Sequence, residues 1–158
     1  MTWLELCNDK KLQDLPYKIE LNRAGQIILS PTRNLHGYFA GKIAQLLGEL
    51  MAAGEVLVEL AIETEDSTKV ADVAWAAPGT FSLIRDEASC SVAAEICVEV
   101  RSPSNSSEEI ARKRQLYLSA GAKEYWVCDE QGRMQFFDAG GKLDKSVLCP
   151  AFPLQLPV

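Results

Sequence analysis

Two carboxylates stand where carboxylates are costly. Asp72 interrupts the apolar stretch Val70-Ala71-Asp72-Val73-Ala74-Trp75, and Glu99 interrupts Cys97-Val98-Glu99-Val100. An acid within an apolar strand loses hydration unless it is paired, hydrogen-bonded or bound to a cation. If the two strands are neighbours, both side chains converge on one hard, oxygen-ligated ion. Magnesium suits such a pair, because it accepts one or two carboxylates and keeps several waters. Phosphodiester hydrolysis asks for that ion to polarise a phosphate and acidify a water. It also asks for a cation to offset the charge that grows on the phosphoryl oxygens. Lys113 is the candidate for that second task, on the helix that follows the Glu99 strand. Tyr117 falls one helical turn beyond it and Gln115 is close by.

Each residue also has a plainer reading. Asp72 reads equally as a strand-end acid turned to solvent, and Lys113 as part of a solvated helix face. Tyr117 and Trp126 read as core or rim aromatics, and His36 as a surface or capping residue at the start of an amphipathic helix.

The elements that must position these groups follow from hydrophobic periodicity. Residues 3–13 form a short helix in this reading. Tyr17-Lys18-Ile19-Glu20-Leu21 alternates with the period of a half-buried strand, and Asn22-Arg23-Ala24-Gly25 turns the chain into a second arm, Gln26 to Ser30. A helix then carries Leu35, Phe39, Ile43, Leu46, Leu47 and Leu50 at helical spacing, capped by Thr32 or Asn34 and ended by Gly54. Strands follow at Val56 to Ile62 and Val70 to Ala76, with the polar run from Glu63 to Lys69 turning between them. Pro78-Gly79-Thr80 opens a helix that runs to about Ala88. Ala94 to Val100 is the most apolar strand and belongs in the middle of the sheet. A helix from Ser107 to Ala120 stops at Gly121, with Glu108 and Glu109 in its first turn. Glu124 to Cys128 pairs with Met134 to Phe137 as a hairpin, and a proline-interrupted tail wraps the surface. This order gives α/β layering around one sheet.

Bulk properties narrow the function. The 158 residues fit one domain, and 47% hydrophobic with 24% charged residues is the balance of an ordinary globular protein. No apolar run approaches the roughly 20 residues of a membrane span. The N-terminal run lacks the basic start and apolar stretch of a secretory signal, so a cytoplasmic protein is expected. Five cysteines without CxxC spacing, beside a single histidine, argue for free thiols and against a zinc site. The net charge of −6 opposes nucleic-acid binding, and Arg112-Lys113-Arg114, with Arg101 upstream, is the one dense basic patch.

Four segments in order, Ala71 to Trp75, Val98 to Ser104, Lys113 to Tyr117 and Gly121 to Val127, resemble the motifs of the Uma2 family. The likeness extends back through the Leu35–Leu50 helix and the stretch Glu59 to Thr64, so it covers most of the chain. Uma2 proteins are nucleases of the PD-(D/E)XK, restriction-endonuclease-like superfamily and are abundant in cyanobacteria. The resemblance implies an α/β restriction-endonuclease-like core, a mixed central β-sheet flanked by helices. It implies that Asp72 and Glu99 bind magnesium or manganese, with the main-chain carbonyl of Val100 as a further ligand. The superfamily's lysine normally lies two residues after the second acid, where this chain has Arg101. In the Uma2-like pattern it moves to the following helix, which makes Lys113 the first candidate and Arg101 the second. Ala71 replaces the proline common before the first acid, a change in backbone stiffness and not in ligands.

The expected function is a magnesium-dependent DNA endonuclease, and a double-strand cut, which needs two sites, makes a homodimer reasonable. The Glu124–Val127 strand or its hairpin partner is the surface expected for pairing. Two alternatives stand beside it. One is a catalytically silent interaction module on a nuclease fold, serving a mobile element or defence system. The other is a metal-dependent hydrolase of smaller phosphate esters.

Overall fold

The computed structural model describes residues 1–158. The elements run α1 (Trp3–Asn8), β1 (Tyr17–Leu21), β2 (Ile27–Pro31), α2 (Asn34–Leu50), β3 (Glu55–Thr64), β4 (Ser67–Ala76), α3 (Pro78–Ile84), β5 (Ile96–Val100), α4 (Ser107–Ser119), β6 (Glu124–Cys128), β7 (Met134–Asp138) and β8 (Gly141–Leu143). Strands β3 to β8 form one six-stranded sheet in sequence order. Only β5 and β6 run parallel, joined by α4, and every other pair is antiparallel. The α/β architecture with a mixed central sheet flanked by helices is the expected one. The β1–β2 hairpin is a separate two-stranded sheet lying against β4.

Alternation along the strands separates two apolar layers. Val73, Trp75, Val98, Trp126 and Phe136 face α2, where Phe39, Ile43 and Leu47 are buried at successive helical turns. Ala74, Cys97, Tyr125 and Val127 face the other way, onto Ile84 of α3 and Tyr117 of α4. Glu99, two residues after Cys97, therefore points to the α4 side.

Several expected boundaries move, each for a local reason. Residues 3–13 split, because Asp9 leaves α1 in an extended conformation and its carboxylate accepts the Lys11 amide at 2.9 Å, opening a short 3-10 turn at Lys10–Leu12. Neither Thr32 nor Asn34 caps α2. Arg33 holds that position without a side-chain hydrogen bond. Gly54 is not the end of α2, which stops at an extended Met51. With φ of +80°, Gly54 passes beneath Trp75, where an added Cβ would meet the Ala76 carbonyl oxygen at 2.5 Å. The β3–β4 turn shrinks to Glu65 and Asp66, tied by the Thr64 hydroxyl donating to the Ser67 carbonyl at 2.6 Å. Helix α3 ends at Ile84, four residues early.

The tail belongs to the core as well as the surface. Cys149, Phe152 and Leu156 are buried against Trp126 and Phe136, each apolar side chain adding roughly 1.5–3 kcal/mol of burial. Glu124 fixes the tail's start, accepting from the Ser146 hydroxyl at 2.6 Å and the Val147 and Leu148 amides at 2.7 and 3.0 Å. The indole N–H of Trp126 donates to the same carboxylate at 2.7 Å. Glu124–Cys128 is thus an interior strand, buried throughout and paired on both sides, so it offers no edge to a second copy. Met134–Asp138 is likewise covered, by β8. All five cysteines are free thiols, and four are buried.

Candidate active site

Strands β4 and β5 pair antiparallel through Val73–Val98, which sets Asp72 and Glu99 opposite one another one residue further along. Both are buried, at 5% and 3% exposure, so the solvent-facing reading of Asp72 does not hold. The Val100 amide donates to Asp72 Oδ2 at 2.8 Å, and His36 Nε2 lies 3.4 Å from the same oxygen. On the other carboxylate, the Tyr117 hydroxyl donates to Glu99 Oε1 at 2.8 Å and Lys113 Nζ lies 3.3 Å away. The two remaining oxygens, Asp72 Oδ1 and Glu99 Oε2, share one partner. It is Lys18 Nζ, at 3.0 and 3.2 Å.

Lys18 comes from β1, and so does a third buried carboxylate. Period-two geometry puts Lys18 and Glu20 on one face of that strand. Glu20 accepts the Val70 amide at 2.8 Å and holds Lys113 Nζ at 2.9 and 3.1 Å. Lys69 completes the docking by donating to the Leu21 carbonyl at 3.0 Å. The cluster is therefore three carboxylates and two ammoniums, with His36 at its margin, and no buried polar side-chain atom lacks a partner.

Charge and burial compete at each group. Burial pushes Asp72 up, but Lys18, His36 and the Val100 amide outweigh it and hold the carboxyl well below its ordinary value. Glu20 is lowered in the same way, against its burial, by Lys113, Lys18 and the Val70 amide. Glu99 goes the other way, raised by complete burial and by its acidic neighbours despite both lysines. Burial would lower the Lys18 ammonium, yet Glu99, Asp72 and Glu20 together raise it. Desolvation also raises the Tyr117 phenol well above its ordinary value, so it stays a donor to Glu99.

The backbone departs from regularity at the same place. The β3–β4 ladder skips one pair, Glu59 opposite Asp72, and Glu59 has φ of +55°. A non-glycine residue in that region carries strain on the order of 1 kcal/mol.

Of the residues singled out in the sequence, the fold brings together Asp72, Glu99, Lys113 and Tyr117, and Val100 joins through its amide. Arg101 and Gln115 do not reach the carboxylates. The Arg101 guanidinium donates to the Asn105 carbonyl at 3.3 Å and the Ser107 hydroxyl at 3.2 Å, and Gln115 accepts from Arg112 at 3.3 Å. Lys18, Glu20 and His36 are the members that sequence reading passed over. A cavity of about 30 Å³ lies among the clustered groups. Beside it a 140 Å³ cavity is lined by Arg33, His36 and Arg101, and a 570 Å³ groove runs between β2 and α4 past Glu20 and Lys113.

A family model, Uma2, described as "Putative restriction endonuclease", matches residues 4–142. The chain belongs to the Uma2 family. No curated protein matches it. Among solved structures, a crystal structure from Anabaena variabilis is described as a "putative nuclease belonging to DUF820". It aligns with this Uma2 chain at a TM-score of 0.71 and 16% identity, covering 98% of this chain and 94% of that one. The two share a fold. The sequence resemblance to Uma2 is thereby borne out. No helix of this Uma2 protein is long and apolar enough to cross a membrane.

No three acidic, histidine or cysteine side chains are gathered into a ready cage. Asp72 Oδ1 and Glu99 Oε2 nevertheless bracket a cation, with the Lys18 ammonium as the stand-in. Two hard carboxylate oxygens facing one charge suit magnesium or manganese, which keep water on their remaining positions. The residues fit such an ion.

Proposed function

We propose that this Uma2 protein is a magnesium- or manganese-dependent DNA endonuclease acting as one domain, with Asp72, Glu99 and the Val100 carbonyl as ligands. The observation that carries the reading is the pair Asp72 Oδ1 and Glu99 Oε2, opposed across two buried strands and converging on a single cation. When bound, the ion supplies a water of lowered pKa and polarises the phosphate.

The chain's own residues do the rest. The Val100 amide and the Tyr117 hydroxyl fix the rotamers of Asp72 and Glu99, so the ligands are set before substrate arrives. Glu20 tethers Lys113 beside Glu99, which leaves an ammonium to orient the attacking water and offset phosphoryl charge. Arg33 and Arg101 form no ion pair, and they line the cavity next to His36. There, with Glu130 on the same wall, they offer a backbone phosphate two cations that no ion pair engages, which offsets locally part of the repulsion of a chain with net charge −6. A homodimer would supply the second site for a double-strand cut.

A second reading has an observation of its own. Lys18 already fills the gap between the two carboxylates, an arrangement that a catalytically silent interaction module can keep. Supercoiled plasmid incubated with magnesium or manganese separates the two. Cleavage by the wild type, lost in Asp72→Ala and Lys113→Ala, is the expected result. Cleavage that survives both substitutions removes these residues from the chemistry, and no cleavage by the wild type favours the module.

A further inference from the structure

The four oxygens of Asp72 and Glu99 are not used alike. Asp72 Oδ2 takes the Val100 amide and His36, and Glu99 Oε1 takes Tyr117 and Lys113. The two oxygens that face one another take only Lys18. Its side chain is 10% exposed, so the ammonium is held inside the cluster and is not a loose surface charge.

We propose that Lys18 is a tethered cation which occupies the position of the divalent ion and must leave for the ion to bind. The proposal rests on the metal-dependent reading of the site and adds a competitor built into the chain. Geometry makes the two occupants exclusive. The ammonium stands 3.0 and 3.2 Å from its oxygens, whereas magnesium needs oxygens at about 2.0–2.1 Å in a near-octahedral shell. An ammonium left among the ligands of a divalent ion would also repel it at a few ångströms in a poorly screened site.

Where Lys18 sits in the chain gives it a way out. It belongs to β1, whose only ladder is with β2, so its movement breaks no pairing of the six-stranded sheet. Apparent metal affinity is then the intrinsic affinity scaled by the fraction of molecules from which the ammonium is absent. If Lys18 is in place in nine molecules of ten, the wild type binds metal about tenfold more weakly than the open site would.

The test is a titration of the full-length wild type, Lys18→Gln and Lys18→Gln/Asp72→Asn with manganese alone, following free Mn²⁺ by electron paramagnetic resonance. Lys18→Gln is expected to bind about tenfold or more tightly than the wild type, and the double variant to lose that gain. Equal or weaker binding by Lys18→Gln, with the wild type binding, overturns the tethered cation and leaves the metal reading intact. Absence of binding by both wild type and Lys18→Gln removes the metal reading itself. Should Lys18→Gln fail to fold, a manganese-soaked wild-type crystal decides. An ion between Asp72 and Glu99 with Lys18 Nζ moved away supports the proposal, and an ion there with the ammonium still touching both carboxylates ends it.

Discussion

Glu20 and Glu99 sit on different sheets yet hold the same ammonium, Lys113 Nζ, at 2.9 and 3.3 Å. One lysine of α4 therefore joins the β1–β2 hairpin to the central strand, and the cluster depends on both units being docked.

Tyr117→Phe removes a hydroxyl that donates to Glu99 at 2.8 Å in a fully buried place. A hydrogen bond to a charged group contributes about 1.5–3 kcal/mol. Urea unfolding should show a loss of that size with an unchanged slope. A variant as stable as the wild type would mean that Lys18 and Lys113 satisfy Glu99 without the hydroxyl.

Stability should fall on the acid side. Asp72 and Glu20 are held below their ordinary values, so their contribution is complete above the unfolded-chain pKa of about 4 and drains away as pH drops through and below it. Glu99, raised by burial, has the opposite sign, since protonation relieves the cost of its buried charge. The gain from Glu99 is complete once pH has fallen to about 4, so the net loss sets in below that, where Asp72 and Glu20 lose their contribution, read as a urea midpoint falling from pH 4 downward. Asp72→Asn should flatten that limb. An equally steep fall in the variant would show that Asp72 does not carry it.

Arg101→Ala tests the phosphate-facing side. Arg101 meets only neutral acceptors, the Asn105 carbonyl and the Ser107 hydroxyl. Losing one phosphate contact should weaken DNA binding and make the dependence of log K on log salt shallower by roughly 0.9. Arg85→Ala, just past the end of α3 and paired with Asp86, is the control. Identical slopes for wild type and Arg101→Ala would take Arg101 off the DNA face.

Much of this architecture was legible in the residue pattern, because it depends on local period. The strands around Asp72 and Glu99, the Phe39–Ile43–Leu47 stripe and the Lys113–Tyr117 turn all follow from spacing of 2 or about 3.6. What escaped was set by distant docking. Tyr17 to Leu21 alternates like a strand with one wet face, and only its contact with β4 turns Lys18 and Glu20 inward. Glu20 meets the Val70 amide 50 residues away. His36 reaches Asp72 through the packing of α2 beneath the sheet, which no capping pattern announces. Gln115 failed for a simpler reason, since residues two apart on a helix face away from each other. Arg101 was drawn off by the loop that follows β5, where its guanidinium ties Asn105 to Ser107.

The hairpin has one more consequence. Because β1 and β2 pair only with each other, they can detach as a unit while the six-stranded ladder stays closed, a local opening distinct from global unfolding. Their amides should exchange with solvent deuterium together, and sooner than those of β5 and β6. Each such opening withdraws Lys18 and Glu20 at once, so the electrostatics of the buried acids would fluctuate at the rate at which the Tyr17–Pro31 ribbon lifts from the protein.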